Sequence, residues 1–272
     1  MKHILLTGGP TNEYVDEVMK ITNMSTGSLT ISLAKTALAQ GDQVTIVVTN
    51  SVLLTQYYAE IKDNPNLKTV AIETTQDMYD ALEAEAVNHY DTIIHASAVG
   101  DYKPEFTFRM EDLAEKLSDY VVERVDYGAN EGRLSTLFKP DKLREEIYAD
   151  LMAIMEKGDY RVDNSSKISS YEPNLTVKLT LTTKIIANLR RWFPDATLIG
   201  CKLLENVTKE HLLEVATNLC KKNDMDYIMA NDLALLRNGQ PIRFLVTQDG
   251  YTGLELNGDG PDLLDYAAKE WF

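Results

Sequence analysis

The sequence is poor in cysteine, in histidine and in positive charge. Its two cysteines, Cys201 and Cys220, are too few for a disulfide framework and lack the spacing of metal ligands. Its four histidines are scattered, without a carboxylate or cysteine at motif spacing, so we expect each to be structural. No nucleophile–base pair is therefore indicated. Reactions that run by positioning and charge neutralisation, such as nucleotidyl or acyl transfer, need no such pair.

Charge and hydropathy argue against two classes of partner. The formal net charge is -15, whereas a nucleic-acid-binding protein usually presents a basic face. No apolar run approaches the roughly twenty residues that cross a bilayer, and the first residues do not resemble a signal peptide. We therefore expect a cytoplasmic protein without a nucleic-acid or membrane partner. A small anionic substrate stays open, because local lysines and N–H groups can outweigh distant acidic charge.

The first forty-eight residues predict the opening of a Rossmann-like unit. Apolar runs at 4–6 and 44–48 predict buried strands, and the spacing within 29–38 predicts a helix that Gly41 ends. One cluster of small residues follows the first strand and a second opens the helix. Such a helix start can bind a phosphate or can merely be capped, and the two readings remain open on local grounds. The spacing is neither G-x-G-x-x-G nor a P-loop.

The remaining pattern predicts one α/β domain over 1–272. Its sheet is Rossmann-like and mostly parallel, is flanked by helices, and ends in a C-terminal β-hairpin. Residues 105–166 interrupt the alternation and predict a helical insertion, either a lid or an oligomerisation flap. The further predicted strands are 67–72, 91–96, 175–181, 197–201, 226–230, 242–246 and a segment around 254. The further predicted helices are 75–89, 111–125, 142–157, 185–193, 208–223 and 261–272.

Charged residues near predicted strand ends are candidate site residues. In an open parallel sheet, ligands bind beyond the carboxyl ends of the strands, where Asp101 and Lys103 are expected. Lys167, Lys184 and Lys202 are further candidate cations. Position alone fits a solvated surface charge at least as well.

A series of motifs in order resembles the phosphopantothenate–cysteine ligases, and in particular the monofunctional bacterial type. The motifs are G-G-P-T-N-E at 8–13, I-T-N-M-S-T-G at 21–27, S-A-V-G-D-Y-K-P at 97–104, S-K-I-S-S at 166–170, G-C-K-L-L-E at 200–205 and A-N-D-L at 230–233. The resemblance implies an enzyme of coenzyme A synthesis that joins 4′-phosphopantothenate and L-cysteine. It further implies CTP or ATP as co-substrate, Mg²⁺, an acyl-nucleotide intermediate, pyrophosphate release and a homodimer formed through the flap.

The same resemblance assigns site residues by their match to the motifs. Asn23 matches the asparagine that holds the acyl-nucleotide, and Lys167 matches the lysine beside the triphosphate. No metal ligands are assigned. The nucleotide-binding positions are Gly8, Gly9, Thr11, Ser97, Ala98, Val99, Asp101, Lys167, Thr183, Ile185, Ile186, Cys201, Lys202 and Lys222. The substrate-binding positions are Asn23, Ser25, Thr26, Gly27 and Asn231.

Several positions depart from the family pattern. Met19 replaces a usual arginine, and Cys201 replaces a phenylalanine that usually packs by the base. The other departures are Pro10, Thr30, Asn218 and T-K-I at 183–185. Losing an arginine and a stacking ring would weaken nucleotide binding by ~1–3 kcal/mol. The alternative is therefore a non-catalytic or diverged relative that binds an anionic metabolite or nucleotide. A nicotinamide-dependent oxidoreductase is disfavoured by the missing G-x-G-x-x-G.

Overall fold

A computed structural model describes residues 1–130 and 140–257, without the side chains of 126–130, 140–142 and 257. The strands are β1 (His3–Gly8), β2 (Asn12–Tyr14), β3 (Lys20–Thr22), β4 (Gln43–Thr49), β5 (Leu67–Ile72), β6 (Thr92–His95), β7 (Tyr102–Arg109), β8 (Leu175–Leu181), β9 (Thr197–Leu204), β10 (Tyr227–Asp232), β11 (Ile242–Thr247) and β12 (Gly250–Asn257). The helices are α1 (Ser28–Ala39), α2 (Asn50–Leu53), α3 (Gln56–Ala59), α4 (Thr75–Glu85), α5 (Met110–Asn130), α6 (Pro140–Lys157), α7 (Leu189–Trp192), α8 (Lys209–Lys222) and α9 (Leu233–Arg237).

The chain divides into two compact units. The first unit contains residues 1–13, 22–101 and the chain from Thr182 onward, and the second contains 14–21 and 102–181. The predicted insertion 105–166 lies inside the second unit. Its assignment as a flap of a single domain stays a prediction.

The first unit is built on an eight-stranded sheet in the order β12-β11-β10-β9-β6-β1-β4-β5. The strands from β10 to β5 run parallel, and β11 and β12 add an antiparallel hairpin. The predicted mostly parallel α/β sheet with a terminal hairpin is therefore confirmed. Because β4 and β5 lie on one side of β1 and β6 lies on the other, the chain reverses direction across the sheet between β1 and β6. Such a switch point is where open α/β sheets bind ligands.

Helices cover both faces of this sheet, which explains its continuous apolar strands. Alternate residues of β1 point to opposite faces, so Leu5 packs in one core and Leu6 in the other. Met78 of α4 and Leu212 of α8 share the core of Leu5, whereas Leu33 of α1 shares that of Leu6. Both large strand residues are fully buried.

Helix caps explain where several predicted helices begin and end. Thr74 and Asp77 form a capping box at the start of α4, and Thr208 caps α8. Gly41 follows α1 with φ +84°, as predicted for a residue that ends a helix in the left-handed region.

The second unit contains the hairpin of β7 with β8 and the helices α5 and α6. Phe106, Phe108 and Tyr160 form its small aromatic core, in which Tyr160 packs edge to face with both phenylalanines. Arg124 of α5 forms ion pairs with Glu146 and Asp150 of α6. The predicted half-exposed strand at 175–181 is confirmed, and its partner is β7, not a strand of the large sheet.

Some predicted boundaries are wrong. Helix α5 continues through Asn130, because one interior glycine costs only about 1 kcal/mol and does not end a helix. Residues 185–193 form a 3₁₀ turn followed by the short α7. The predicted helix at 75–89 ends at Glu85. The short elements β2, β3, α2, α3 and α9 are not predicted, because they are below the length at which periodicity shows. The strand β7 is not predicted either, and its residues 105–109 correct the start of the segment that the sequence predicts to be a helical insertion. The predicted helix at 261–272 lies outside the described residues.

No helix within residues 1–130 and 140–257 is both long and apolar enough to cross a membrane.

A buried histidine at the end of β6 generates a test of the fold. Burial lowers the pKa of the His95 imidazole to about 4, and its Nδ1 lies 2.8 Å from the Thr7 hydroxyl. The unfolded chain therefore binds a proton near pH 6.5, and the folded chain binds it only near pH 4. Stability from this residue is lost as the pH falls between these values.

We predict that, between about pH 7 and pH 4, the wild type loses roughly 3 kcal/mol more unfolding free energy than His95→Gln. Urea unfolding at a series of pH values measures this difference. His211→Gln, at an exposed position, is the control and should follow the wild type. Equal pH slopes for the wild type and His95→Gln would contradict a buried neutral imidazole.

Candidate functional site

The loops that follow β1 and β6 lie side by side at the switch point. The Ala98 N–H donates to the Gly9 carbonyl at 2.9 Å, and Pro10 and Ala98 form a parallel bridge. The small-residue cluster after the first strand and the 97–101 segment are therefore neighbours. The structure thus brings together Gly8, Gly9, Thr11, Ser97, Ala98 and Val99, as the ligase resemblance implies.

Thr11 lies at the centre of these loops. Its buried hydroxyl accepts from the Gly100 N–H at 2.8 Å and forms a hydrogen bond of 3.0 Å with the Thr75 hydroxyl. Its backbone carbonyl accepts from the Thr22 hydroxyl at 3.1 Å. The side chain of Thr11 thus supports the loops from inside, which is a different contribution from the ligand contact that the resemblance implies.

Two acidic side chains to which the sequence assigns no role form hydrogen bonds beside the loop that follows β1. The buried Glu13 carboxylate accepts from the Thr75 N–H and hydroxyl at 2.9 and 2.6 Å, at the start of α4. The Glu73 carboxylate accepts from the side chains of Asn12 and Asn50 at 2.6 and 2.7 Å. Glu13 is the last residue of the G-G-P-T-N-E motif, and this membership is the sequence feature that could have indicated its role.

Asn23 is held over the β6 loop by both hydrogens of its amide. Its Nδ2 donates to the carbonyls of Ala98 and Val99, each at 3.1 Å. Two carbonyl acceptors determine which end of the amide is nitrogen. With its donors engaged, the exposed Asn23 side chain presents Oδ1 as the group that can meet a ligand.

The glycines of the two small-residue clusters converge on Val52. Gly9 and Gly27 have φ values of +80° and +70°. A Cβ at Gly9 would lie 2.5 Å from a Val52 methyl group, and one at Gly27 would lie 2.7 Å from it. Gly27 begins α1 without a side-chain cap, and the first turn of that helix has no acidic residue. The start of α1 therefore suits an anion.

Ser25 and Thr26 lie in the loop just before this helix start. The Thr26 hydroxyl donates to the Ser28 hydroxyl at 3.1 Å and accepts from the Ser28 N–H at 3.3 Å. Ser25 is half-buried and its N–H donates to the Asn23 carbonyl. The predicted substrate loop thus joins the helix start to Asn23.

An exposed ion pair lies where residues 22–101 of the first unit end and where this unit resumes at Thr182. Lys184 Nζ contacts an Asp101 carboxylate oxygen, and the Thr182 N–H donates to the Asp101 carbonyl at 3.1 Å. Thr183 is exposed beside them. Because both charges are solvated, this pair contributes little to stability. It keeps a cation next to Asp101.

Other predicted nucleotide positions differ in accessibility. Ile185 is buried in the core and Ile186 packs against it. Lys202 is half-buried on β9. Burial raises the pKa of the Cys201 thiol to about 12, so this cysteine is a neutral thiol near pH 7.

The end of β10 lies at the carboxyl ends of the parallel strands, whereas the end of α8 lies toward their amino ends. Asn231 pairs with Leu203 near the carboxyl ends of β10 and β9. Its neighbour Asp232 caps α9, and the Val207 N–H is the main cause of the lowered pKa of the Asp232 carboxyl. Lys222 is in the last turn of α8, which runs back toward the amino ends of the strands. The structure does not bring Lys222 together with the strand-end residues.

Lys167 belongs to the second unit. It is exposed and lies in the segment between α6 and β8. The next residue, Ile168, is buried, and its N–H donates to the Asp16 carboxylate at 2.9 Å.

Among residues 1–130 and 140–257, no group of three or more His, Cys, Asp or Glu side chains could hold a metal ion. Mg²⁺ bound with a nucleotide usually takes one or two carboxylates together with phosphate oxygens. Asp101 is an exposed carboxylate at the strand edge that suits such a role.

The parallel sheet, its switch point and the glycine loops define a Rossmann-like α/β protein. Comparison with known proteins makes this more specific. Residues 1–117 match the family described as the DNA/pantothenate metabolism flavoprotein C-terminal domain. The chain is 34% identical to the coenzyme A biosynthesis bifunctional protein CoaBC of Vibrio vulnificus over 221 residues, which is 73% of this chain and 53% of that protein.

Solved structures agree with this similarity. The DNA/pantothenate metabolism flavoprotein from Streptococcus pneumoniae matches with 27% identity and a TM-score of 0.71, covering 100% of both chains. A Cab2 variant in complex with phosphopantothenate-cysteine shares the fold, with 15% identity, a TM-score of 0.61 and coverage of 98% of this chain and 86% of that one. The resemblance to phosphopantothenate–cysteine ligases is thereby confirmed. The chain spans about half the length of the CoaBC relative.

The packing of Gly27 on Val52 generates a test of the site. We predict that Gly27→Ala lowers the free energy of unfolding by about 2–4 kcal/mol, from the left-handed backbone and the clash together. Gly41→Ala is the matched control, since it has φ +84° but nothing within 4 Å of the added Cβ. It should cost about 1–2 kcal/mol.

Denaturant unfolding measures both variants. The double variant Gly27→Ala with Val52→Ala should lose less stability than the two single changes summed, because the smaller residue relieves the clash. Equal losses for Gly27→Ala and Gly41→Ala would show that the close approach to Val52 has no energetic effect.

Proposed function

We propose that this chain is a phosphopantothenate–cysteine ligase of coenzyme A synthesis. The observation that carries the proposal is Asn23, which matches the family asparagine, is exposed, and has both amide hydrogens engaged so that Oδ1 remains as its acceptor. The similarity to CoaBC and to the Streptococcus pneumoniae protein supports the same function. The Cab2 complex with phosphopantothenate-cysteine supports the two substrates.

The proposed reaction has two steps. The carboxylate of 4′-phosphopantothenate attacks the α-phosphorus of a nucleoside triphosphate, CTP or ATP, and pyrophosphate leaves. The amine of L-cysteine then attacks the acyl carbon, the amide forms, and the nucleoside monophosphate leaves with the acyl oxygen. The first step brings a carboxylate to a polyphosphate, so nearby positive charge lowers its barrier. When bound, Mg²⁺ would supply part of that charge to the triphosphate.

The chain's own residues have distinct parts in this proposal. The uncapped start of α1 and the glycine loops face anionic groups with backbone N–H donors. Asn23 Oδ1 orients the acyl group or the incoming amine. Lys167 neutralises charge on the triphosphate, as its motif implies. Thr11, Glu13 and Glu73 hold the loops in place.

A homodimer and a cytoplasmic location belong to the same proposal. Val121, Val122 and Val125 of α5 are between 55% and 59% exposed, although they are apolar. Such side chains on a helix of the predicted flap suit contact with a second copy.

We predict pyrophosphate release that requires 4′-phosphopantothenate and one of the two nucleotides, with amide formation only when cysteine is present. A coupled pyrophosphate assay with CTP and ATP offered separately, in the presence of Mg²⁺, measures this. No release with either nucleotide from the folded protein would contradict the proposal and favour a non-catalytic relative.

Lys167→Ala should lower this rate by about 100- to 1000-fold, because a charge-stabilising group is lost. Lys157→Ala, which removes an exposed lysine of α6 in the same unit, is the control and should leave the rate unchanged. Full turnover by Lys167→Ala would remove the assigned role.

Cys201→Phe should tighten nucleotide binding about two- to tenfold, because an aromatic ring can stack on the base. Cys201→Ala is the control that changes the residue without adding a ring. Calorimetric titration with CTP and ATP measures the affinities. Unchanged affinity in Cys201→Phe would show that the base does not lie at this position.

A further inference from the structure

The segment that carries Lys167 has little regular structure of its own. It runs from the end of α6 at Lys157 to the start of β8 at Leu175. Exposed lysines in such segments explore many conformations, and a catalytic cation must be held within a fraction of an ångström to be effective. Contacts that restrain this segment near Lys167 therefore bear directly on its proposed role.

Two hydrogen bonds tie this part of the segment to the turn at 15–19. The Ile168 N–H donates to Asp16 Oδ2 at 2.9 Å, next to Lys167 in the chain. The Asn164 side-chain amide donates to the Val15 carbonyl at 3.1 Å, three residues before Lys167. The two bonds hold the segment on both sides of the lysine.

The Asp16 carboxylate also accepts hydrogen bonds within its own turn, in addition to the one from Ile168. Its Oδ1 accepts from the N–H groups of Val18 and Met19 at 2.8 and 2.7 Å, and the residue is buried. The Val15 N–H closes the turn by donating to the Met19 carbonyl at 2.8 Å. One carboxylate therefore accepts three backbone N–H groups from two segments about 150 residues apart.

The charge of Asp16 also bears on Lys167. The hydrogen bond from the Ile168 N–H is the main cause of the lowered pKa of the Asp16 carboxyl, and the Lys167 charge lowers this pKa further. The carboxylate is therefore ionised near pH 7. A neutral side chain at this position would exert no such attraction on the Lys167 ammonium group.

We propose that Asp16 is a positioning residue, which holds the 164–168 segment against the turn at 15–19 and thereby places Lys167 for the triphosphate. This inference rests on the proposed ligase function. Asp16 itself touches neither substrate nor nucleotide in this proposal. Its action is entirely through Lys167.

Asp16→Asn is the informative substitution, because asparagine keeps one acceptor oxygen and places an amide opposite the remaining N–H donors. Asp16→Asn should lower kcat for pyrophosphate release about 10- to 100-fold, as misplacement by about 1 Å does. The KM for 4′-phosphopantothenate should change less than twofold. Asp163→Asn is the matched control, since Asp163 is exposed and accepts locally from the Ser165 N–H.

A double-mutant cycle separates positioning from general structural damage. In a Lys167→Ala background, Asp16→Asn should cause no further loss of kcat, because the residue through which it acts is gone. An undiminished additional loss would overturn the proposal. Asn164→Ala, at an exposed site, provides a second variant should Asp16→Asn fold poorly, and it should show a smaller loss with the same dependence on Lys167.

Limited trypsin digestion tests the tether without any activity. Cleavage after Lys167, followed by mass spectrometry, should be several-fold faster in Asp16→Asn than in the wild type or Asp163→Asn. Unchanged cleavage would overturn the proposal. If the wild type releases no pyrophosphate, the ligase function fails and the catalytic part of this inference falls with it, whereas faster cleavage would still support the tether.

Discussion

The loops of the first unit depend on the buried hydroxyl of Thr11. These loops contain no extended ladder of backbone hydrogen bonds, so their arrangement needs specific partners. Through its hydroxyl and its backbone, Thr11 contacts the loop after β6, the start of α4 and the strand that carries Thr22. Because the site is fully buried, a broken bond there would leave a polar group without water. Much of the strand-end architecture therefore depends on one small side chain.

The strand ends of the first unit offer backbone dipoles to a ligand, whereas the chain as a whole is negatively charged. The whole chain carries a formal net charge of -15, yet its glycine loops and the start of α1 present backbone N–H groups. Such donors act on a ligand over a few ångströms. Acidic residues farther away than the screening length of the salt solution have little effect on that ligand. These local donors are therefore compatible with the net negative charge of the whole chain.

The two units position the two proposed catalytic residues, Asn23 and Lys167, by different means. In the first, Asn23 is positioned by carbonyls of a loop that follows a core strand. In the second, Lys167 lies on a segment restrained by the Asp16 carboxylate and the Asn164 amide. The first arrangement rests on a loop beside the sheet, whereas the second depends on a few hydrogen bonds and is therefore sensitive to single substitutions.

The sequence by itself determined the sheet-forming strands, the long helices and the family resemblance. Apolar runs such as those of β1 and β4 and the spacing within α1 follow from burial on both faces of a parallel sheet, and the motifs retain their order along the chain. It also predicted a common site for Asn23 and the glycines, and the role of these residues stays a prediction.

Only the tertiary structure decided the partner of β8, the supporting roles of Thr11 and Glu13, and the place of Lys222 away from the strand ends. Each depends on contacts between segments far apart in sequence. The contact of Asp16 with Ile168 joins residues 152 positions apart, and local periodicity carries no information about such a pairing. Residue type shows what a side chain can bond, and the folded backbone decides which partner comes within reach.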